Sequence, residues 1–263
     1  MNISWRRIYA IVLRHEYNFL HNWDRLVDAF YWPAMDIIVW GLTSAWIAQL
    51  QSQVPNFVLV LLTGLVFWQI VWRGNYEIST NMLEEFWNQN LVNLFSSPLT
   101  IYEWMAAVML LGFVKMFIAL GFCAFLVWIL YHLSIFTVGW MLIPFLAMLL
   151  MSGWFMGFLG SAFVIYWGQR VQTIAWTMGF LFAPFSAVYY PVSVLPKAVQ
   201  HISYLLPTTY IFEGMRSILF TGHMPMDMLL KSFVLNCIYL AFSLWFFVFM
   251  FHKSQEKGLS RLE

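Results

Sequence analysis

The stretch of sequence that decides the fold is residues 102–130, YEWMAAVMLLGFVKMFIALGFCAFLVWIL, in which only Glu103 and Lys115 are charged. A bilayer has a hydrocarbon core about 30 Å thick, and an α-helix needs about 20 apolar residues to cross it. Residues 102–130 exceed this length and carry one charge in their interior. They therefore predict a transmembrane helix.

Similar apolar runs recur along nearly the whole chain, and together they predict an all-α membrane protein with six transmembrane helices. Of its 263 residues, 62% are hydrophobic and only 10% are charged, whereas a soluble domain has about 25% charged residues. This composition cannot cover a surface that faces water. The predicted spans are about 28–49, 56–72, 102–130, 137–165, 172–190 and 228–251. We expect a six-helix transmembrane domain over 28–263, preceded by a separate helix over 1–27.

The distribution of Lys and Arg between the spans predicts the orientation, because these residues mark the cytoplasmic side. If both termini are cytoplasmic, the outside carries only Lys197, Arg216 and Lys231. The inside then carries Arg6, Arg7, Arg14, Arg25, Arg73, Arg170, Lys253, Lys257 and Arg261. This excess of positive charge inside favours cytoplasmic N- and C-termini.

The first 27 residues predict an amphipathic helix on the cytoplasmic membrane surface. Its polar residues recur at helical spacing along one stripe: Arg7, Arg14, Asn18, His21, Arg25 and Asp28. Another side carries Trp5, Ile8, Val12, Phe19, Trp23 and Phe30. An aromatic and aliphatic face opposite a basic one is typical of interfacial helices. The alternative is a cytoplasmic helix that packs on a partner protein.

Motifs for catalysis or energy conversion are missing from the sequence. It contains no G-x-x-x-x-G-K-[ST] loop for nucleotide phosphates and no H-E-x-x-H pair. Cys123 and Cys237 are isolated within apolar runs, so neither a disulfide nor a metal site is expected. A net charge of +1 offers no electrostatic basis for binding nucleic acid. We therefore expect no enzyme and no cofactor in this chain.

Two charges fall within predicted spans, Asp36 in the first and Lys115 in the third. Such residues are costly in lipid and normally pair or face a water-filled cavity. Both spans enter from the same side, so the two side chains could pair, although their depths differ by about 9 Å at 1.5 Å per residue. The alternative is that Lys115 snorkels to the surface and Asp36 faces a cytoplasmic cavity.

The fourth span contains Gly153 and Gly157, whose spacing lets two helices approach closely in lipid. Packing within one subunit is the first interpretation, and a contact between subunits is the second.

The polar stretch at 73–100 is expected to lie in the cytoplasm and to contain a short amphipathic helix. Apolar residues alternate there with acids and amides: Met82, Glu84, Glu85, Phe86, Leu91, Leu94 and Phe95. The alternative is a loop helix that lies on the membrane.

The chain after the fifth span cannot form one regular helix, because interior prolines remove a hydrogen bond and clash with the preceding turn. Pro191, Pro196 and Pro207 interrupt this segment, and a short helix is expected at 208–220. Glu213 and Arg216 fall on one face of that helix. They are expected to form either a partly buried pair or a surface salt bridge.

These segments together resemble the permease subunits of type-two ATP-binding-cassette (ABC) exporters of the bacterial drug, lipid or lipo-oligosaccharide kind. The cytoplasmic loop ends in Ser97-Pro98-Leu99. Tyr190-Pro191 and Leu195-Pro196 follow the fifth span, and Leu206-Pro207-Thr208-Thr209-Tyr210 precedes Glu213 and Arg216. The length, the six spans and the amphipathic N-terminus also agree, so the resemblance covers almost the whole chain.

The resemblance implies a half-transporter in the bacterial inner membrane, in contact with membrane lipid. Two copies, expected to form a homodimer, would enclose a pathway for a drug-like or lipid-like substrate. A separate ABC-type ATPase subunit would bind ATP and Mg²⁺. The alternative cargo is a lipid-linked polysaccharide or oligosaccharide. An intramembrane enzyme or a secondary transporter is more remote, because the spans show neither convergent catalytic groups nor an internal repeat.

The resemblance also implies roles for particular residues. A coupling helix at 83–95 would contact the ATPase through Glu84, Glu85, Phe86, Leu91, Leu94 and Phe95. The N-terminal helix would be a second element near the ATPase, with Trp5, Arg7, Arg14 and Trp23. Paired re-entrant external helices over 191–220 would involve Pro191, Pro196, Pro207, Tyr210, Glu213 and Arg216. Charge reversal at Glu84 and Glu85 is then expected to weaken ATPase docking while membrane insertion stays intact.

Overall fold

A computed structural model describes residues 3–50 and 57–258, and this part of the chain contains helices and turns but no strand. The helices are α1 (Trp5–His21), α2 (Trp23–Leu50), α3 (Phe57–Trp87), α4 (Leu91–Ser96), α5 (Ile101–Tyr131), α6 (Leu142–Trp167), α7 (Gln172–Phe182), α8 (Lys197–Ser203), α9 (Pro207–Thr221) and α10 (Met226–Glu256). Short 3₁₀ segments lie at Ile135–Met141, Gly168–Val171, Ala183–Phe185 and Val192–Val194. The prediction of an all-α protein is confirmed.

Within the residues that the structure describes, four segments are long and apolar enough to cross a membrane. They are Phe57–Trp87, Ile101–Tyr131, Gly139–Phe185 and Met226–Glu256. The third of these contains both α6 and α7, which the 3₁₀ turn Gly168–Val171 separates. These segments support a membrane-embedded protein, whereas the total of six spans stays a prediction.

The N-terminal helix ends earlier than the predicted boundary at residue 27. α1 ends at His21, and α2 begins at Trp23. The Asn22 side-chain oxygen accepts hydrogen bonds from the backbone N–H of Asp24 (3.0 Å) and Arg25 (3.3 Å). An asparagine that satisfies these free donors is a favourable N-cap, so the chain starts a new helix there.

The predicted end of the second span at residue 72 is wrong as a helix boundary. α3 continues without interruption from Phe57 to Trp87, although the stretch after Arg73 is polar. Nearly every residue from 73 to 86 is buried, including Glu77 and Glu85. Much of the expected cytoplasmic loop is therefore the continuation of α3 into the folded interior.

The predicted fifth span, 172–190, is also not one helix. α7 ends at Phe182, and Pro184 lies in the following 3₁₀ turn. Proline cannot donate the next helical hydrogen bond, and Ala187 adopts a positive φ of 57°. The Tyr190 hydroxyl donates to the Pro184 carbonyl at 2.7 Å, which folds this segment back on itself.

The fourth span packs against α3 through its glycines. A Cβ atom added to Gly153 would lie 2.5 Å from the Val71 carbonyl oxygen and 2.9 Å from the Gly74 Cα. At Gly157 an added Cβ would lie 2.9 Å from the Ile78 Cβ. The interpretation that these glycines pack within one subunit is confirmed.

We expect Gly153→Ala to destabilise the chain, because its methyl group would meet backbone atoms that cannot rotate away. Overpacking of this kind costs about 1–3 kcal/mol. Gly121→Ala is the matched control, since an added Cβ at Gly121 has nothing within 4 Å. The measurement is the melting temperature of the purified chain in detergent. Equal melting temperatures for the two variants would contradict the close approach of α3 and α6.

Candidate functional site

The basic stripe of α1 is turned toward the chain itself and pairs with carboxylates of α3 and α5. The Arg7 guanidinium lies 2.6 Å from Glu103, and the Arg14 guanidinium lies 2.9 Å from Glu85. Glu103 also accepts the backbone N–H of Ser4 at 2.7 Å. Both carboxylates are fully buried. Arg7 and Arg14 thus attach the N-terminal helix to the bundle.

A second group of contacts joins α2 and α1 to the same face of α3. Arg25 forms an ion pair with Glu84, and it donates to the Asn81 side chain at 3.0 Å. Asn18 also donates to Glu84, at 2.7 Å. Arg25 and Glu84 are 4% and 8% exposed, so this pair is largely withdrawn from water.

Lys115 has a partner that the sequence did not suggest. The Lys115 ammonium lies 2.9 Å from Glu77 and over the ring of Phe19 at 4.1 Å. Arg73 shares the same carboxylate at 3.3 Å. Lys115 is only 2% exposed, so it does not snorkel. A pair between Lys115 and Asp36 is not formed, because Glu77 supplies the negative charge.

All six residues predicted to contact an ATPase face the rest of the chain. Glu84, Glu85 and Phe86 belong to α3, while Leu91, Leu94 and Phe95 belong to α4. Phe95 is half-buried and packs against Phe251 with ring centroids 4.7 Å apart, and the other five are buried. The predicted single helix at 83–95 is therefore two helices, and its amphipathic face is covered by the chain itself.

This region exposes residues at the end of α3, in the α3–α4 turn, which we define as residues 88–90, and on the outer side of α4. Asn88 and Gln89 are exposed, and so is Asn93. Gln89 has a positive φ of 49°, which turns the chain between the helices. The sequence signal for this turn is its run of amides, a composition common in turns. The neighbouring glutamates obscure this signal, because they extend the amphipathic pattern across the turn.

The residues of the predicted apolar side of α1 are partly buried and partly exposed in the structure. Ile8 and Phe19 are 3% and 6% exposed, whereas Trp5 and Trp23 are 77% and 80% exposed. Trp23 belongs to α2. The exposed large apolar residues of α1 are Trp5, Tyr9, Leu13, Tyr17 and Leu20. This row lies beside the buried side of the helix, and its contact with a membrane surface stays a prediction.

His15 lies on the buried side of α1. Burial lowers the pKa of its imidazole to about 3, and the positive charges of Arg14 and Arg25 act in the same direction. The imidazole is therefore neutral near pH 7. His15 therefore adds no positive charge to the attachment of α1.

A new helix or 3₁₀ turn starts at, or directly after, each proline of the predicted external segment. Pro191 precedes the 3₁₀ turn Val192–Val194, Pro196 precedes α8, and Pro207 is the first residue of α9. The first turn of a helix tolerates proline, because its N–H has no partner there in any case. The helical elements of this segment are interrupted at each of these prolines, and the location of the segment outside the membrane stays a prediction.

Glu213 and Arg216 form a partly buried pair that fixes this segment. Their charged groups lie 3.1 Å apart, and Glu213 also accepts the Val192 N–H at 2.7 Å. Arg216 donates to the Ala187 carbonyl at 2.5 Å. The Tyr210 hydroxyl donates to a nearby carbonyl, that of Tyr204, at 2.9 Å. The pair connects α9 to the chain that follows α7.

The side of α3 between α2 and α7 carries polar and aromatic side chains, and these two helices both pack against α3 but contact each other little. We call this side the α3 groove and define it by Asp36, Trp40, Gln69, Trp72, Phe180 and Tyr189. Trp40 stacks on Tyr189 with centroids 5.6 Å apart, and Trp72 lies 4.6 Å from Phe180. The Gln69 amide donates to Asp36 at 3.1 Å. The groove therefore combines aromatic rings with one carboxylate.

Comparison with known proteins identifies the family. A family model described as "ABC-2 family transporter protein" matches residues 43–250, which include α3 to α9 and most of α10. No curated protein matches the chain. A domain of this family is the membrane component of a transporter whose ATP hydrolysis belongs to a separate ABC ATPase subunit. The chain therefore belongs to the ABC-2 family of transporter proteins and is a membrane permease subunit.

Proposed function

We propose that the chain is one half of an exporter of amphiphilic substrates, drug-like or lipid-like. Two copies enclose the pathway, and each contributes its α3 groove. A partner ATPase binds ATP and Mg²⁺ and drives the change between inward-facing and outward-facing states. The same architecture would also carry a lipid-linked oligosaccharide.

The single observation that carries this proposal is the continuity of α3. The helix has 31 residues, and at 1.5 Å per residue it is about 46 Å long. Gln69 and Trp72 lie in the α3 groove, while the last residue, Trp87, adjoins the α3–α4 turn. One helix therefore connects an exposed contact surface to the substrate groove.

The ion pairs around α3 support a mechanical role for this helix. Glu77, Glu84 and Glu85 attach it to α5, α2 and α1, respectively. Buried, paired charges are costly to separate, so these helices move together when the turn is displaced. In this mechanism the glutamates transmit the ATPase movement but do not contact the ATPase.

The positions of the charges support a cytoplasmic location for the α3–α4 turn. Phe251, near the end of α10, packs on α4, and Gln169 donates to the Phe86 carbonyl at 3.1 Å. Arg170, Lys253 and the arginines of α1 are therefore at the same end of the bundle as the turn. This excess of positive charge favours the cytoplasmic side, with both termini inside, in a bacterial inner membrane.

Asn88→Arg is expected to reduce co-purification with the ABC ATPase at least tenfold. Asn88 is exposed in the α3–α4 turn, so a bulky cation there obstructs docking without disturbing the core. The measurement is recovery of the partner ABC ATPase co-expressed with the permease, together with the melting temperature of the permease. His223→Arg, an exposed position in the α9–α10 connection, is the control. Normal ATPase recovery with Asn88→Arg would contradict the proposed contact.

A further inference from the structure

We propose that the substrate carried in the α3 groove is a hydrophobic organic cation, and that Asp36 is the residue that selects its charge. This inference rests on the proposed function and adds the chemical class of the cargo. Its basis is a carboxylate that faces the groove without a cationic partner.

Within residues 3–50 and 57–258, no cationic side chain pairs with Asp36. Within the described part of the chain, its one hydrogen bond comes from the neutral Gln69 amide at 3.1 Å. Lys115 and Arg73, the cations of the neighbouring helices, are both held by Glu77.

A carboxylate in such a place is unfavourable unless something else neutralises it. Removing an ionised group from water costs several kcal/mol, and intramembrane carboxylates are normally paired. Asp36 is partly exposed on the groove side of α2, so a substrate can reach it. A positive charge on the substrate would supply the missing partner.

The surrounding rings fit the same class of ligand. Trp40 follows Asp36 by four residues, so both lie on one side of α2, and the Trp40 ring stacks on Tyr189. Aromatic faces attract cations, above all organic ones. Trp72 and Phe180 extend the groove with apolar surface for the body of such a molecule.

Other substrate classes explain the groove less well. Sugars also stack on aromatic rings, but a neutral sugar leaves the Asp36 charge uncompensated. A neutral lipid would need neither the carboxylate nor the Gln69 amide that orients it. An anionic lipid would be repelled. The combination of carboxylate and rings favours a hydrophobic cation over each of these.

The test uses the permease and its ATPase reconstituted together in proteoliposomes. The probes are tetraphenylphosphonium, a hydrophobic cation, and triphenylphosphine oxide, an uncharged molecule of similar shape. Binding is followed by quenching of tryptophan fluorescence, and turnover by stimulated ATP hydrolysis. The variants are Asp36→Asn and, as a matched control, Asp227→Asn at an exposed position of α10.

We expect wild type and Asp227→Asn to bind the cation, and Asp36→Asn to bind it at least tenfold more weakly. Basal ATP hydrolysis by the complex should be the same in wild type and in Asp227→Asn. Binding of both probes with equal affinity would overturn the inference, and so would stimulation by a neutral lipid-linked oligosaccharide that Asp36→Asn leaves unchanged. In either case an intact, ATP-hydrolysing complex leaves the proposed function standing. Failure of the permease to bind its ATPase would overturn the proposed function and, with it, this inference.

Discussion

Glu77→Gln is expected to cause the largest loss of folded protein of any conservative substitution proposed for this chain. Glu77 is 1% exposed and accepts from Lys115 at 2.9 Å and from Arg73 at 3.3 Å. Removing its charge leaves two buried cations facing each other. Breaking one buried ion pair costs about 3–5 kcal/mol, which is a large part of the 5–15 kcal/mol that stabilises a typical protein.

Lys115→Met gives the matched comparison, because it leaves the pair between Arg73 and Glu77 in place. We expect a smaller loss from this variant than from Glu77→Gln. The double variant should recover part of the loss, since it removes one of the two stranded cations. Such non-additivity is typical of residues that share one network. The measurements are the monodisperse fraction after detergent extraction and the melting temperature. Equal losses in the two single variants would contradict the shared carboxylate.

This network shows why apolar segments are easier to predict from sequence than buried charges. The long apolar runs at 102–130 and 228–251 correspond to α5 and α10, because an apolar run of sufficient length dictates a helix in lipid by itself. The pairing of Lys115 with Glu77 depends on two helices that are distant in sequence. A hydropathy scale scores each charged residue separately. It therefore assigns Glu77 to a loop, because it takes no account of the ion pair that neutralises Glu77 and Lys115.

The candidate site shows a similar limit. An amphipathic pattern indicates that one face of a helix is covered, but it does not say by what. At Phe86 and Leu91 the covering surface is the chain itself. By contrast, the pair between Glu213 and Arg216 was predictable, because helical spacing alone brings the two together.

The double variant Glu84→Arg with Glu85→Arg is expected to detach α1 from the bundle. It removes the ion pairs with Arg25 and Arg14 and places like charges opposite each other. Because the pair between Arg25 and Glu84 is buried, its loss alone costs about 3–5 kcal/mol. We expect a lower melting temperature and faster tryptic cleavage at the arginines of α1, along with loss of ATPase binding.

Comparison with Asn88→Arg separates the role of this region in binding the ATPase from its role in attaching α1 to the bundle. Both variants should lose the ATPase, but only the double variant should lose stability, because Asn88 is exposed whereas Glu84 and Glu85 are buried. Glu84→Gln keeps the shape of the side chain and removes only its charge, so it should destabilise less than the reversal. If the double variant loses the ATPase with an unchanged melting temperature, the glutamates contact the ATPase directly. The coupling surface would then be the helix that the amphipathic pattern first indicated, and α3 would have to expose those side chains when the ATPase docks.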